Sequence, residues 1–201
     1  MAPHYRFERQ LMKAGTWPVA GVDEAGRGPL AGPVAAAAVI LNPRDLPRGL
    51  DDSKKLEAEE REELAHIIFA KALSVGIGFA PAQEIDRINI RQATHAAMRR
   101  ALRALSLVPL HILIDGNDIP NDLPCPARAI VKGDAISASI AAASIIAKVT
   151  RDRLMQKLDV AHPAYGFAHH AGYATERHRA ALDGHGPCEF HRMTFASVKL
   201  R

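Results

Sequence analysis

Hydrophobic and polar positions fall in blocks along the chain, and the period of the blocks changes. Val19-Ala20-Gly21-Val22 is a short apolar run that stops at Asp23-Glu24, the pattern of a buried strand. A turn punctuated by Gly and Pro covers 26–32, and a second strand-like run, 34–41, ends at Asn42-Pro43. Residues 42–56 have no period and carry Asp51-Asp52-Ser53-Lys54-Lys55. From 57 to 73, Leu64, Ile67, Ile68 and Leu73 recur among charges on one side of a predicted amphipathic helix. A third strand is expected at 75–80. Pro81 suits a first helical position and opens a helical stretch, with a second helix expected near 91–105. The runs 111–114 and 129–131 read as strands, stopped by Asp115-Gly116 and by Lys132-Gly133-Asp134. A long Ala/Ile/Ser helix is expected at 135–158. Beyond it lie short pieces rich in Gly, His and Pro, with a helix near 175–182. Strands first, then strands alternating with helices, predict an α/β domain with a mixed sheet.

Composition narrows the class. The 201 residues show no repeat, no low-complexity tract and no break in composition, so one domain is expected. Apolar residues make up 48% and charged residues 24%, which excludes disorder of the chain as a whole. The formal net charge of +4 leans toward polyanionic partners. Cys125 and Cys188 stand far apart and form no C-x-x-C pair, so neither a zinc ribbon nor a disulfide framework is supported. The N-terminal residues have no signal-peptide core, and the longest apolar runs, 34–41 and 140–143, fall short of the roughly 20 residues needed to cross a bilayer. A cytoplasmic protein with no membrane partner is expected.

The acids carry the candidate chemistry. Asp23 and Glu24 follow the first strand, Asp115 ends a later one, and Asp134 lies just beyond another at the mouth of a helix. Ligand sites of open α/β sheets form at strand ends. Carboxylates gathered there repel one another unless cations neutralise them, and they suit hard, oxygen-seeking ions such as Mg²⁺ or Mn²⁺. Each acid alone has a plainer role: a turn at Asp115-Gly116, a helix N-cap at Asp134, a solvent-facing pair at Asp23-Glu24. The sequence does not show that the strand ends converge.

Several blocks are similar to the type 2 ribonucleases H. Gly21-Val22-Asp23-Glu24-Ala25-Gly26-Arg27-Gly28-Pro29-Leu30-Ala31-Gly32-Pro33-Val34 resembles the opening signature of that family. Asp52-Ser53-Lys54-Lys55-Leu56, Ile114-Asp115-Gly116, Lys132-Gly133-Asp134, the helix from Ala135 to Asp152, and Gly172-Tyr173-Ala174-Thr175-Glu176-Arg177-His178 resemble later blocks, in the family's order. The resemblance runs from about 20 to 198. Ser197 stands where the family's tail is expected to have a proline. Within the family the chain is more similar to ribonuclease HII, because its length leaves no room for the additional N-terminal domain expected of ribonuclease HIII.

The resemblance implies a ribonuclease H-like α/β fold: a mixed five-stranded sheet flanked by helices, with a helical C-terminal extension from about 160. It implies an endoribonuclease that hydrolyses the RNA strand of RNA–DNA hybrids and cuts 5′ of single ribonucleotides in duplex DNA. Two-metal-ion hydrolysis, with Mn²⁺ or Mg²⁺, would leave 3′-hydroxyl and 5′-phosphate ends. Asp23, Glu24, Asp115 and Asp134 would be the catalytic, metal-binding set. Gly26, Arg27 and Gly28 would meet the ribonucleotide 2′-hydroxyl and adjoining phosphate, and Tyr173 would stack on the neighbouring sugar. Lys54, with Lys55 beside it, is a further candidate for phosphate contact. The expected partner is nucleic acid, and the expected working form a monomer.

Other readings of these residues remain. Gly26-Arg27-Gly28 could be a plain turn; as a dinucleotide loop it misses the third glycine of G-x-G-x-x-G by one place. Ser137, Ser144 and Lys148 share one helix face, which could track a nucleic-acid backbone or pack as a small-residue interface. The late histidines, His162, His169, His170, His178, His185 and His191, lack zinc-site spacing and read as surface or structural, with His178 placed near the substrate by its block. Two other function classes stand beside the endoribonuclease: a nuclease of the same fold for another nucleic acid, and a non-catalytic nucleic-acid-binding module.

Overall fold

The computed structural model describes residues 2–51, 53 and 55–199. Five strands form one mixed sheet in the order β3-β2-β1-β4-β5. They are β1 (Val19–Ala25), β2 (Val34–Ile40), β3 (Ser74–Ala80), β4 (His111–Asp115) and β5 (Ala127–Ile130). β2 runs antiparallel to both β1 and β3, whereas β1, β4 and β5 are parallel. The expected sheet is thus present, and three of its strands point their C-terminal ends to the same edge.

The helices are α1 (Arg6–Lys13), α2 (Ala58–Lys71), α3 (Ala82–Arg103), α4 (Ala138–Ala161), α5 (Phe167–His170), α6 (Glu176–His185) and α7 (Ala196–Lys199). Alternation along the strands splits the core between two faces. Ala20, Val22, Ala36, Ala38, Ile112 and Ile114 pack with Ala93, Ala97 and Ala101 of α3. Val19, Leu113 and Ile130 face the other way, onto Ile140 of α4. Ala37 and Val39 join Ala142, Ile145 and Ile146 of α4 and Leu64 and Ile68 of α2. Gly21 permits the close approach of β1 to α4, since a Cβ there would lie 2.1 Å from the backbone carbon of Ser139.

Several boundaries differ from the sequence reading. β5 starts at Ala127, and Val131, read as part of the strand, is 66% exposed. The long helix begins at Ala138 with Ser137 as its N-cap; a 3₁₀ turn over Gly133–Ala135 precedes it. α2 ends at Lys71, so Leu73 leaves its apolar stripe; the Leu73 N–H donates to the Ile40 carbonyl instead. The two helices expected after Pro81 are both present within α3, and they meet at Asn89, whose φ of 67° and ψ of 163° are not helical.

Candidate active site

Topology brings the acids together. Val22 is opposite Ile114 in the parallel pairing of β1 with β4, so Asp23 and Asp115 leave their strands side by side. Asp115 in turn is opposite Ile130, and the chain beyond β5 turns through Lys132 at a left-handed φ of 56° into the 3₁₀ turn that holds Asp134. One carboxylate oxygen each from Asp23, Asp115 and Asp134 lie within 4.8 Å of one another. Asp23 and Asp134 are buried and Asp115 is half-buried. Among the described residues these three form the one group of three or more metal-capable side chains.

Glu24 stands outside this trio for a simple reason. Successive strand residues face opposite sides of a sheet, so Asp23 turns toward α4 while Glu24 turns toward α3. There Glu24 lines a cavity with Arg91, His95 and Asp118, and it also reaches the cavity of about 230 Å³ beside Asp23 and Asp115. Arg27 Nη1 holds the Glu24 carboxylate at 3.3 Å.

Electrostatics match the crowding. Burial pushes the Asp23 carboxyl well above the usual range, and the charges of Glu24 and Asp115 push it further. Burial raises Glu24 too, with Arg27 pulling it back. Local donors hold the set in place: the Gly133 and Asp134 amides donate to Asp115 Oδ1 at 2.6 and 3.3 Å, and the Glu24 amide to Asp23 Oδ1 at 2.7 Å. Ser144 hydrogen-bonds Asp23 and meets Ser53 Oγ at 2.9 Å. A donor set made wholly of carboxylate oxygens, buried and mutually repelling, fits a hard divalent cation such as Mg²⁺ or Mn²⁺.

The candidate recognition residues border the same cavity, which Gly26, Arg27, Ser144, Lys148 and Tyr173 line. Tyr173 is 47% exposed, and a Cβ on Gly28 would lie 3.8 Å from its ring. Lys54 lies outside the described residues. The Ser137-Ser144-Lys148 face divides: Ser144 and Lys148 reach the cavity, whereas Ser137 is fully buried and donates from Oγ to Glu8 at 2.7 Å. Asp134 is not the N-cap of α4, because Ser137 fills that role.

Two arginines that gave no functional signal in the sequence support the Gly26–Gly32 turn from behind. Arg151 donates to the carbonyls of Pro33 and Ala31, and Arg192 to those of Gly26, Arg27 and Gly32. Both are buried. Burial, with Arg151 alongside, pulls the Arg192 guanidinium down to about 9, which leaves it charged at neutral pH. Gly26, at φ 93°, admits this approach: a Cβ there would lie 1.9 Å from Arg151 Nε.

The family sequence model described as Ribonuclease HII matches residues 20–198. The chain belongs to the ribonuclease HII family. It is 57% identical over 202 aligned residues to the Ribonuclease HII of Brucella canis, covering all of this chain and 92% of that one. It is 58% identical over 193 residues to that of Sinorhizobium medicae, covering 96% and 89%. The crystal structure of ribonuclease H2 from Pyrococcus horikoshii superposes with a TM-score of 0.78 at 28% identity, over 90% of this chain and 95% of that one. Membership makes the chain a nuclease hydrolase with ribonuclease H endonuclease activity. The ribonuclease H-like fold expected from the sequence is the fold found. No helix among the described residues is long and apolar enough to cross a membrane.

Proposed function

We propose that this chain cuts the RNA strand of RNA–DNA hybrids and cleaves 5′ of a single ribonucleotide in duplex DNA, leaving 3′-hydroxyl and 5′-phosphate ends. The observation that carries the proposal is the convergence of Asp23, Asp115 and Asp134 beside a cavity that Gly26, Arg27 and Tyr173 border. These three acids, with Glu24 from the adjoining face, would hold Mg²⁺ or Mn²⁺. Such ions would offset the charge of the carboxylates and supply Lewis-acid polarisation of the phosphate to be cut.

The remaining work belongs to the chain's own groups. Arg27 sits where its guanidinium can pair with a backbone phosphate, and Gly26 and Gly28 let the peptide approach the sugar bearing the 2′-hydroxyl. The Tyr173 ring, exposed across from Gly28, offers a flat surface for the sugar next to the ribonucleotide; stacking there would sense the RNA-to-DNA junction, which a continuous hybrid lacks. Lys148 lines the cavity and supplies a second cation for phosphate, while also bonding Asp152 at 2.8 Å. The reading keeps a monomer as the working form and one catalytic domain with its extension from about 160.

Cleavage of a continuous RNA–DNA hybrid in Mg²⁺, Mn²⁺ or EDTA tests the nuclease reading. Cleavage should need the cation and should vanish in Asp134→Asn. A folded Asp134→Asn enzyme with near-normal turnover would refute the assignment, and cleavage persisting in EDTA would refute the metal.

A further inference from the structure

Between α6 and α7 the chain passes behind the cavity, and residues 188–192 touch both candidate recognition elements there. Toward the turn, the Arg192 amide donates to Leu30 O at 2.8 Å, and the Gly32 amide donates to Phe190 O at 2.9 Å. The Arg192 guanidinium donates to Gly26 O at 2.5 Å, Arg27 O at 2.8 Å, and Gly32 O at 2.9 and 3.0 Å. In a trans peptide the C=O and the following N–H point opposite ways. Drawing these carbonyls inward therefore turns the Arg27 and Gly28 amides away from Arg192. Toward the tyrosine, His191 Nε2 lies 3.0 Å from His178 Nε2, and His178 Nδ1 lies 2.9 Å from the carbonyl oxygen of Tyr173. The Leu30 amide, donating to Gly172 O at 2.8 Å, closes the circuit between the two elements.

Hydrogen-bond chemistry sets the direction of the histidine pair. The Tyr173 carbonyl only accepts, so His178 Nδ1 carries a proton. His191 Nδ1 lies 2.9 Å from the Cys188 amide, 3.2 Å from Cys188 Sγ and 3.3 Å from the Cys188 carbonyl oxygen; the amide, the nearest and able only to donate, requires the lone pair on that nitrogen. Neutral His191 therefore carries its proton on Nε2 and donates to His178 Nε2. The result is a one-way chain from the Cys188 amide through two imidazoles to the Tyr173 backbone. Both rings are buried, and His170 stacks on His178 with centroids 4.5 Å apart. Neither ring can turn without breaking this packing.

We propose that residues 188–192 are a positioning brace: His191 sets Tyr173 through His178, Arg192 sets Gly26-Arg27-Gly28, and together they fix the gap in which one ribonucleotide is read. The proposal rests on Tyr173 and Gly26-Arg27-Gly28 being the recognition surfaces. The brace touches no reacting atom. Its effect is preorganisation: an exposed ring on a loose backbone would have to be ordered by each substrate, and a fixed backbone removes that cost.

The test compares kcat/KM on two substrates, a DNA duplex with one ribonucleotide and a continuous RNA–DNA hybrid. His191→Phe keeps an aromatic ring in the packing and removes the relay. It should lower the ratio of the first to the second about tenfold, the scale of one hydrogen bond lost. Activity on the continuous hybrid should stay within about threefold. His191→Gln, whose amide nitrogen can replace the Nε2 donor, should keep the ratio within about twofold. An unchanged ratio in His191→Phe, or equal loss on both substrates, would overturn the brace. Tyr173→Ala separates the two ideas. If it loses the ratio while His191→Phe keeps it, the brace fails and the reading of Tyr173 stands; if both keep it, both fail. In the double variant, His191→Phe should add nothing to Tyr173→Ala, and an undiminished further loss would place its effect elsewhere. The wild-type protein offers a test that needs no variant. Nitrogen NMR at neutral pH should find the proton on Nδ1 of His178 and on Nε2 of His191. The opposite tautomer in either ring contradicts the relay.

Discussion

Asp23 and Glu24 are neighbours in sequence but turn to opposite sides of the sheet, so they reach the candidate metal site from different faces. Asp23 is the buried centre of the carboxylate trio, held against its neighbours' charge. Asp23→Asn should therefore lower turnover on the order of 10³-fold or more while the fold persists. Removing one repelling charge should leave the metal-free protein melting at or above wild type in EDTA. Mg²⁺ or Mn²⁺ should raise the wild-type melting temperature and raise that of Asp23→Asn much less. Thermal melts with and without metal check both, and a strongly destabilised Asp23→Asn would argue that the acids are structural. At this scale the acids were legible because each one lies at or just beyond the end of an apolar run. Arg151 and Arg192 were not, because nothing in sequence distinguishes a buried arginine that serves backbone carbonyls from a surface one.

Among the elements, α4 is the one on which the site depends. Its N-terminal turn lies against Gly21, and that contact sets β1 and Asp23 against the 3₁₀ turn and Asp134. Gly21→Ala drives a Cβ into the Ser139 backbone and should destabilise by about 2–3 kcal/mol. Denaturant unfolding checks this, and a loss below about 0.5 kcal/mol would mean that α4 moves aside freely. The same helix end is secured by α1, where Glu8 Oε1 accepts from Ser137 Oγ at 2.7 Å and from the Ser139 amide at 3.0 Å. Glu8→Ala leaves those buried donors without their acceptor and should cost about 1–3 kcal/mol. An unchanged unfolding midpoint would contradict that role for α1. The sequence reading did not identify α1, which is polar and has eight residues. It also misplaced β5, because Arg128 alternates outward within the strand and only the last residues look apolar. Strands at the sheet centre were placed well, since burial on both faces makes them continuous apolar runs.

At the scale of the whole molecule, acid sensitivity should come from buried imidazoles. Burial lowers His178 below its ordinary value near 6.5, and burial with the nearby His178 lowers His191 to about 4. The unfolded chain then binds protons between about pH 6.5 and 4 that the folded chain refuses. Stability from these two residues is complete above about pH 6.5 and falls as the pH drops toward 4. His191→Phe should flatten this part of the stability–pH curve, and an unchanged slope would show that other groups set it. The mixed sheet and its flanking helices were legible from periodicity and family resemblance together. The convergence of the acids was legible only through the resemblance, because it depends on β1, β4 and β5 being parallel neighbours, and no local pattern encodes that pairing.

The most direct test of the account is to map the cut in a DNA duplex that carries one ribonucleotide, in Mg²⁺ or Mn²⁺. The account predicts a single metal-dependent cut on the 5′ side of that ribonucleotide, leaving a 3′-hydroxyl and a 5′-phosphate. Folded enzyme that cleaves continuous RNA–DNA hybrids but leaves this duplex intact would contradict the recognition assigned to Gly26-Arg27-Gly28 and Tyr173.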